Sequence, residues 1–218
     1  MRVAALLFVL VPACAAAAWP AGAGAMEEGV EGAVSVRAGE HAQVSICYNY
    51  GCSREAEVRF HRARLLRLGA RLGQAANAEE ERARLAGEIG MLYRIAATQS
   101  PVAADRAGNY LDGGVEGRMD CIDHATSTTR LLKLLEARGW LRFHRVAEPA
   151  RRTRFIFQHF SAVIEERSVE KAGPNPGGAD GVPPANAYVV DSWFGDNGEP
   201  AVVLPLAEWL NGGGPNVQ

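Results

Sequence analysis

The sequence has almost no net charge. Its 218 residues hold 23 Lys plus Arg and 25 Asp plus Glu, which leaves a formal charge of −2 at pH 7. Nucleic-acid-binding domains typically carry a basic excess, and peripheral membrane anchors carry a polybasic segment, so we expect neither kind of partner. The hydrophobic fraction of 48% is that of an ordinary globular chain, which excludes a disordered or collagen-like protein.

The chain also lacks an apolar run long enough to span a bilayer, which takes about 20 residues. Its N-terminal apolar run covers nine residues, from Val3 to Val11, and is interrupted at once by Pro12. This layout favours a secretory signal peptide over residues 1–25 rather than a retained anchor. We therefore expect a periplasmic or secreted protein, with a single domain over residues 26–218 and no integral membrane segment after signal removal.

Cysteines are few, and their number after export is odd. Removing the signal takes away Cys14 and leaves Cys47, Cys52 and Cys121. Cys47 and Cys52 bracket a turn-like segment, so we expect a local disulfide that stabilises the fold by about 2 kcal/mol. Cys121 then remains a thiol. The alternatives are a metal pair at Cys47 and Cys52, and a long-range disulfide to Cys121.

Hydrophobic periodicity predicts an α+β domain that opens with a strand and helix extension over residues 26–100. Alternating residues in Ala33–Arg37 and Gln43–Tyr48 predict two short strands or a hairpin. Near-helical spacing then predicts two amphipathic helices, Ser53–Gly73 and Ala78–Thr98. The Arg and Glu residues of these helices are expected to form a solvated outer face.

A glycine-containing loop leads into the predicted central helix, which starts at Cys121 and ends near Arg138. Asp120 with Asp123 three residues later resembles a capping box at its start. Gly139 is placed to close the helix in the left-handed conformation. Cys121 is therefore predicted in the first turn of a mostly buried helix.

Strand patterns dominate the remainder of the chain. A long connection, residues 168–186, contains four prolines and four glycines and is predicted to be a flexible excursion. The segments predicted to be extended are Leu141–Val146, Phe155–Glu165, Ala187–Phe194, and Val202–Leu210, the last turning into a short helix.

Pairing of the two strands that flank the excursion predicts a polar pair. In antiparallel neighbours the numbers of paired residues add up to a constant, which the loop centre sets at about 350. His159 and Asp191 satisfy this sum, so we expect them directly opposite one another, on one face with Ser161 and Val163. A helix packed on that face would bring Cys121 to the imidazole.

This combination of residues suits thiolate chemistry. An ordinary thiol has a pKa near 8.5, and both a helix N-terminus and an adjacent imidazolium lower it. Asp191 would hold the ring of His159. His124 is the rival base, and Cys121 with His124 could instead supply two metal ligands, although no second ligand pair at metal spacing exists. His144 alternates with basic neighbours on a strand and is expected to be exposed.

Three short segments carry a family resemblance. Asp-Cys-Ile-Asp-His-Ala around Cys121, Gln-His-Phe-Ser-Ala-Val around His159 and Tyr-Val-Val-Asp-Ser-Trp around Asp191 resemble the transglutaminase-like superfamily, nearest the bacterial transglutaminase-like cysteine proteinases. The resemblance covers Gly117–Phe194, about a third of the chain. It implies a papain-like α+β core whose first helix packs on an antiparallel sheet. The whole mature chain also resembles exported proteobacterial proteins with a Cys-Tyr-Asn-Tyr-Gly-Cys segment.

The resemblance also implies roles for the three residues. Cys121 is the expected nucleophile, His159 the general base and acid, and Asp191 the orienting residue, with no cofactor. The expected reaction is acyl transfer at an amide bond of a peptide or protein in the cell envelope, by a peptidase, an amidase or a transglutaminase-type enzyme. The alternative is a noncatalytic binding or scaffolding module that keeps the fold.

Overall fold

The computed structural model describes residues 34–35, 41–108, 110–154, 157–167 and 184–215. Within these ranges the chain is an α+β protein with two antiparallel sheets and four α-helices, which confirms the predicted fold class at that level. The predicted signal peptide and most of the long excursion lie outside the described residues. No helix in the described ranges combines the length and the apolar content that crossing a bilayer requires.

The first sheet has three strands in sequential order. β2 and β3 form a long antiparallel hairpin, in which His41 lies opposite His61 and Tyr48 lies opposite Arg54. The strands are β1 (Val34–Ser35), β2 (His41–Tyr48) and β3 (Arg54–His61).

The prediction of a helix beginning at Ser53 is wrong over the residues of β3. Val58 and Phe60 are buried and alternate with exposed neighbours, which is the period of a strand. Val58 precedes Leu65 by seven residues, a spacing that two helical turns also produce, so the pattern alone was ambiguous. Pairing with β2 decides in favour of the strand.

Two amphipathic helices follow, as predicted, although the first is shorter. α1 (Arg62–Leu72) buries leucines on one face. α2 (Ala78–Ala97) is capped by Asn77, whose side chain accepts a hydrogen bond from the backbone N–H of Glu80 at 2.9 Å. A short 3₁₀ turn, Pro101–Ala104, comes next.

The prediction of a fully solvated polar face on these helices is wrong at Glu81. This carboxylate is buried and accepts hydrogen bonds from the backbone N–H groups of Arg142 (2.7 Å) and Phe143 (3.1 Å). Its third contact is the ring of His144, at 2.7 Å. His144, expected to be exposed, is therefore buried, because Glu81 satisfies its Nδ1.

The second sheet carries the predicted site strands. It is antiparallel, in the order β4-β5-β6-β7, and a bulge between Ala147 and Ala150 accommodates Pro149 on the edge strand. As predicted, the last strand turns directly into a short helix. The elements are β4 (His144–Arg154), β5 (Phe157–Glu166), β6 (Ala187–Asp191), β7 (Val202–Pro205) and α4 (Leu206–Leu210).

The central helix, α3 (Cys121–Ala137), joins the two sheets. It ends as predicted at Gly139, which has a φ of +68° and donates its N–H to the carbonyl of Glu136 at 2.8 Å. The leucines of α3 share one core with Ala162 and Ile164. Ala162 and Ile164 lie on the face of β5 opposite to His159, because side chains alternate along a strand. The prediction that the helix body packs on the His159 face is therefore wrong.

Only the first turn of α3 reaches the other core. Cys121 and Ala125 cluster there with Val163 and Val189, on the side of the sheet that bears His159. The start of the helix therefore lies beside the start of β5, while the rest of the helix packs on the opposite face of the sheet.

Candidate active site

A double carboxylate cap starts the helix that carries Cys121. Asp120 accepts hydrogen bonds from the backbone N–H groups of Ile122 (3.0 Å) and Asp123 (2.9 Å), and Asp123 in turn accepts from the N–H of Asp120 at 3.1 Å. This reciprocal pattern is the predicted capping box. It fixes Cys121 as the first residue of α3.

The disulfide loop binds this cap from the other side. Cys47 and Cys52 form the predicted disulfide, with a Cα–Cα distance of 4.7 Å. Inside the loop, Asn49, Tyr50 and Gly51 have φ values of +64°, +65° and +64°, and Cys52 has +56°. These values lie in the left-handed region of backbone conformation. Successive residues with this conformation turn their N–H groups toward one point and form a nest that binds an anion.

The anion in this nest is the carboxylate pair of α3. Tyr50 and Cys52 donate their N–H groups to Asp123 at 2.8 and 2.6 Å, and Gly51 donates to Asp120 at 2.9 Å. This link between the disulfide loop and the helix start was not predicted. The sequence features that point to it are the turn-like segment between two cysteines and an Asp pair spaced for a helix start.

Burial disfavours the charged forms of Asp120 and Asp123. It raises the pKa of Asp120 and of Asp123, and the charge of Asp120 raises the pKa of Asp123 further. The backbone N–H groups oppose this effect by stabilising the charged forms. The start of α3 therefore depends on the disulfide loop for its electrostatic balance.

The predicted His159–Asp191 pair is formed. His159 Nε2 lies 2.7 Å from Asp191 Oδ2, and both residues are buried. The indole N–H of Trp209 donates to the same carboxylate oxygen at 2.9 Å, and the backbone N–H of Trp193 donates to the other at 3.2 Å. Asp191 is thus held on both oxygens while it orients the imidazole.

The register that produces this pair differs from the predicted one. Ala162 lies opposite Val190 and Val163 opposite Val189, so the pairing sum is two larger than expected and His159 and Asp191 are not direct partners. Side chains alternate with a period of two, so a shift of two residues keeps both on one face. The contact survives as a diagonal pair.

The second ring nitrogen of His159 has no hydrogen-bond partner among the described residues. Nδ1 is buried, and the ring lies among three aromatic side chains: Trp193, Phe194 and Trp209, at centroid distances of 4.6, 5.5 and 5.5 Å. A buried polar nitrogen without a partner is costly. Such an atom is a candidate for a functional role.

Cys121 contacts the backbone of β5 at the residue before this histidine. Its Sγ is 3.9 Å from the carbonyl oxygen of Gln158, the residue before His159. The residue is a thiol with a relative exposure of 0%. The structure therefore brings the three predicted residues into one region, with the thiol covered.

His124, the rival base, has both ring nitrogens engaged. Nδ1 lies 2.8 Å from Ser192 Oγ and Nε2 lies 3.0 Å from Asp105 Oδ2, and the ring is buried beside Tyr93 at 5.8 Å between centroids. Thr128 extends the network through a 2.8 Å contact with Ser192. His124 thus connects α3 to the segment after Asp191 rather than facing Cys121 as a base.

We expect His124 to stabilise the fold most at low pH. Burial alone would lower its pKa, but Asp105, followed by Asp123 and Asp191, outweighs burial and raises the pKa above 6.5. A raised folded-state pKa contributes stability that is present below the unfolded value and is lost as pH rises through the folded value. Urea unfolding should therefore show that His124→Gln costs about 1 kcal/mol more at pH 5.5 than at pH 9. An equal cost at both pH values would contradict a charged His124.

Gly117 sets the approach of the chain to Asp120. Its φ is +85°, and a Cβ atom there would lie 2.0 Å from the carbonyl oxygen of Pro101. We expect Gly117→Ala to lower the free energy of unfolding by about 2 kcal/mol, because backbone must move to relieve the overlap. Gly114→Ala in the same loop is the matched control, since its Cβ would meet nothing within 4 Å. Equal losses in thermal or urea unfolding would contradict this account.

Among the described residues, one group of three potential metal ligands comes together, formed by Cys47, Cys52 and Glu55. Both sulfur atoms of that group are used by the disulfide, which is not a thiolate ligand.

Comparison of the whole chain with protein-family models, with curated proteins and with solved structures found no match.

Proposed function

We propose that the chain is an exported thiol-dependent enzyme of the transglutaminase-like type, which transfers an acyl group from an amide. Cys121 is the nucleophile, His159 the general base and acid, and Asp191 the residue that orients the imidazole. The observation that carries the proposal is His159 itself. Asp191 binds its Nε2, the buried Nδ1 lacks a hydrogen-bond partner in the described part of the chain, and Cys121 Sγ lies 3.9 Å from the carbonyl oxygen of the preceding residue, Gln158.

The chemistry follows from these positions. His159 Nδ1 takes the thiol proton, and the sulfur forms a bond to the substrate carbonyl carbon. The same nitrogen then gives the proton to the departing amine as the C–N bond breaks, which leaves a thioester on Cys121. Water releases the acid in a peptidase or amidase, and a second amine forms a new amide in a transglutaminase-type enzyme.

The fold supports this proposal at the level of element order. A helix that begins with the cysteine, followed by a strand with the histidine and a neighbouring strand with the aspartate, is the arrangement that the transglutaminase-like resemblance implies. The first-turn position also places Cys121 at the positive end of the α3 dipole. A papain-like core is part of this proposal.

The alternative is a noncatalytic binding or scaffolding module with the same fold. One observation favours it: Cys121 is fully buried, as expected for a thiol that serves only as a small apolar side chain. Under the enzyme proposal, movement of the covering residues must uncover the sulfur, both to substrates and to small alkylating reagents. The two proposals therefore differ in whether an acyl donor reaches Cys121.

Acyl-enzyme trapping separates them. The mature protein is incubated with short peptidyl p-nitroanilides and thioesters and examined by intact mass spectrometry. The enzyme proposal predicts an acyl adduct on Cys121 that hydroxylamine removes, and no adduct on Cys121→Ala. Absence of any adduct, together with slow alkylation of Cys121 by iodoacetamide below pH 8, would favour the scaffold.

A further inference from the structure

Arg152 lies beside the His159–Asp191 pair, on the neighbouring strand. In the β4–β5 pairing it is the direct partner of His159. Its guanidinium carbon is 4.6 Å from the ring centroid of Trp209, the residue whose indole N–H donates to Asp191. A cation is therefore positioned one side chain away from the candidate catalytic pair.

One edge of this guanidinium is fixed by the C-terminal segment. Nη1 donates to the backbone carbonyl oxygens of Trp209 at 2.6 Å and Gly213 at 2.8 Å. These two bonds and the stacking on Trp209 orient the planar group without neutralising its charge. Arg152 is thus preorganised, and little side-chain entropy remains to be lost when a ligand binds.

The opposite edge is available. Nε and Nη2 donate no hydrogen bond within the described ranges, neither belongs to the buried polar atoms that lack a partner, and the residue is partly exposed. No carboxylate of those ranges lies within 4.0 Å of the guanidinium. The Nε and Nη2 edge is the one that binds a carboxylate through two parallel hydrogen bonds.

We propose that Arg152 is a specificity-determining residue that binds a carboxylate of the substrate beside the amide attacked by Cys121. This inference rests on the proposed function and names its substrate class, which is an acyl compound bearing a negative charge near the reacting carbonyl. The carboxylate belongs either to an acidic side chain or to the C-terminus of a peptide. Arg152 acts on binding and takes no part in proton transfer.

Two alkylating reagents test this proposal without a known substrate. Iodoacetate and iodoacetamide both react by forming a sulfur–carbon bond as iodide leaves, but only iodoacetate carries a carboxylate. We expect Arg152→Gln to lower the ratio of the iodoacetate rate to the iodoacetamide rate about fivefold at low salt, and high salt to reduce the difference. Arg151→Gln is the matched control, because Arg151 is exposed, pairs with Phe160 and points to the other face.

Arg152→Lys keeps the charge and guards against misfolding of the Gln variant. It should retain part of the ratio, since an ammonium attracts the reagent but does not form the two-bond fork. An unchanged ratio in both Arg152 variants would overturn the inference. The iodoacetamide rate alone reports on the proposed function, so a fast iodoacetamide reaction with an unchanged ratio would leave the thiol site intact and remove only the carboxylate subsite.

The source of the carboxylate is distinguished by protection of Cys121 from iodoacetamide. Acetyl-alanyl-alanine offers a C-terminal carboxylate, and acetyl-aspartyl-alaninamide offers only a side-chain carboxylate. Stronger protection by one of them, lost in Arg152→Gln, assigns the source. Equal protection by both and by the uncharged acetyl-alanyl-alaninamide would count against the subsite.

Discussion

Alkylation of Cys121 by iodoacetamide at pH 6 is expected to slow about 30-fold or more when His159 is replaced by alanine. An ordinary thiol with a pKa near 8.5 is only about 0.3% ionised at pH 6, whereas a thiolate paired with an imidazolium is largely ionised. His159 Nδ1 is the buried nitrogen proposed to hold that proton. The measurement is the rate of carboxamidomethylation by intact mass between pH 5 and 9.

The matched control for this prediction is His61→Ala, which removes an exposed histidine from β3. Its rate profile should match that of the parent protein. Asp191→Asn should give an intermediate profile, because the imidazole loses its charged partner but stays in place. Identical profiles for the parent protein and His159→Ala would show that the thiol does not depend on the imidazole.

The second large effect is expected on stability, from Asp123→Ala. This change leaves the backbone N–H groups of Tyr50, Cys52 and Asp120 without their acceptor at a largely buried position. We expect the free energy of unfolding to fall by about 3 kcal/mol, measured by urea denaturation, because each unsatisfied buried donor is costly. Relief of the repulsion with Asp120 offsets part of the loss.

Asp196→Ala is the control for this change. Asp196 is half exposed and accepts one backbone N–H, from Ala107, at 2.9 Å, so its removal should cost less than about 1 kcal/mol. Asp123→Asn should fall between the two variants, since one oxygen acceptor remains. A loss for Asp123→Ala no larger than that for Asp196→Ala would contradict the anchoring role of the disulfide loop.

Local rules were enough to predict the ends of the central helix and the disulfide, and strand pairing predicted the contact in the candidate site. The capping box at Asp120, the closing glycine at Gly139 and the Cys47–Cys52 disulfide depend on neighbours in sequence, and all are confirmed. The contact of His159 with Asp191 was also predicted, although the register was wrong by two residues. Whether a residue number is odd or even decides which face of the strand its side chain occupies. A register error of two residues therefore leaves both side chains on the predicted face.

The features that the sequence did not reveal are those that long-range packing determines. Val58 fits both a helix and a strand, and only pairing with β2 selects the strand. Glu81 and His144 form a buried contact although they are far apart in the chain, so no local sequence pattern predicts it. The nest that binds Asp123 required four consecutive left-handed residues, three of them not glycine, which propensity does not favour.

We propose that Cys121 and His159 form a thiolate–imidazolium pair, which Asp191 holds in place. The most direct test of this claim is the absorbance of the thiolate at 240 nm, measured against pH as the difference between the parent protein and Cys121→Ala. The pair predicts thiolate absorbance already present at pH 6 and abolished at that pH in His159→Ala. Absorbance that first appears near pH 8.5, with or without His159, would contradict the claim.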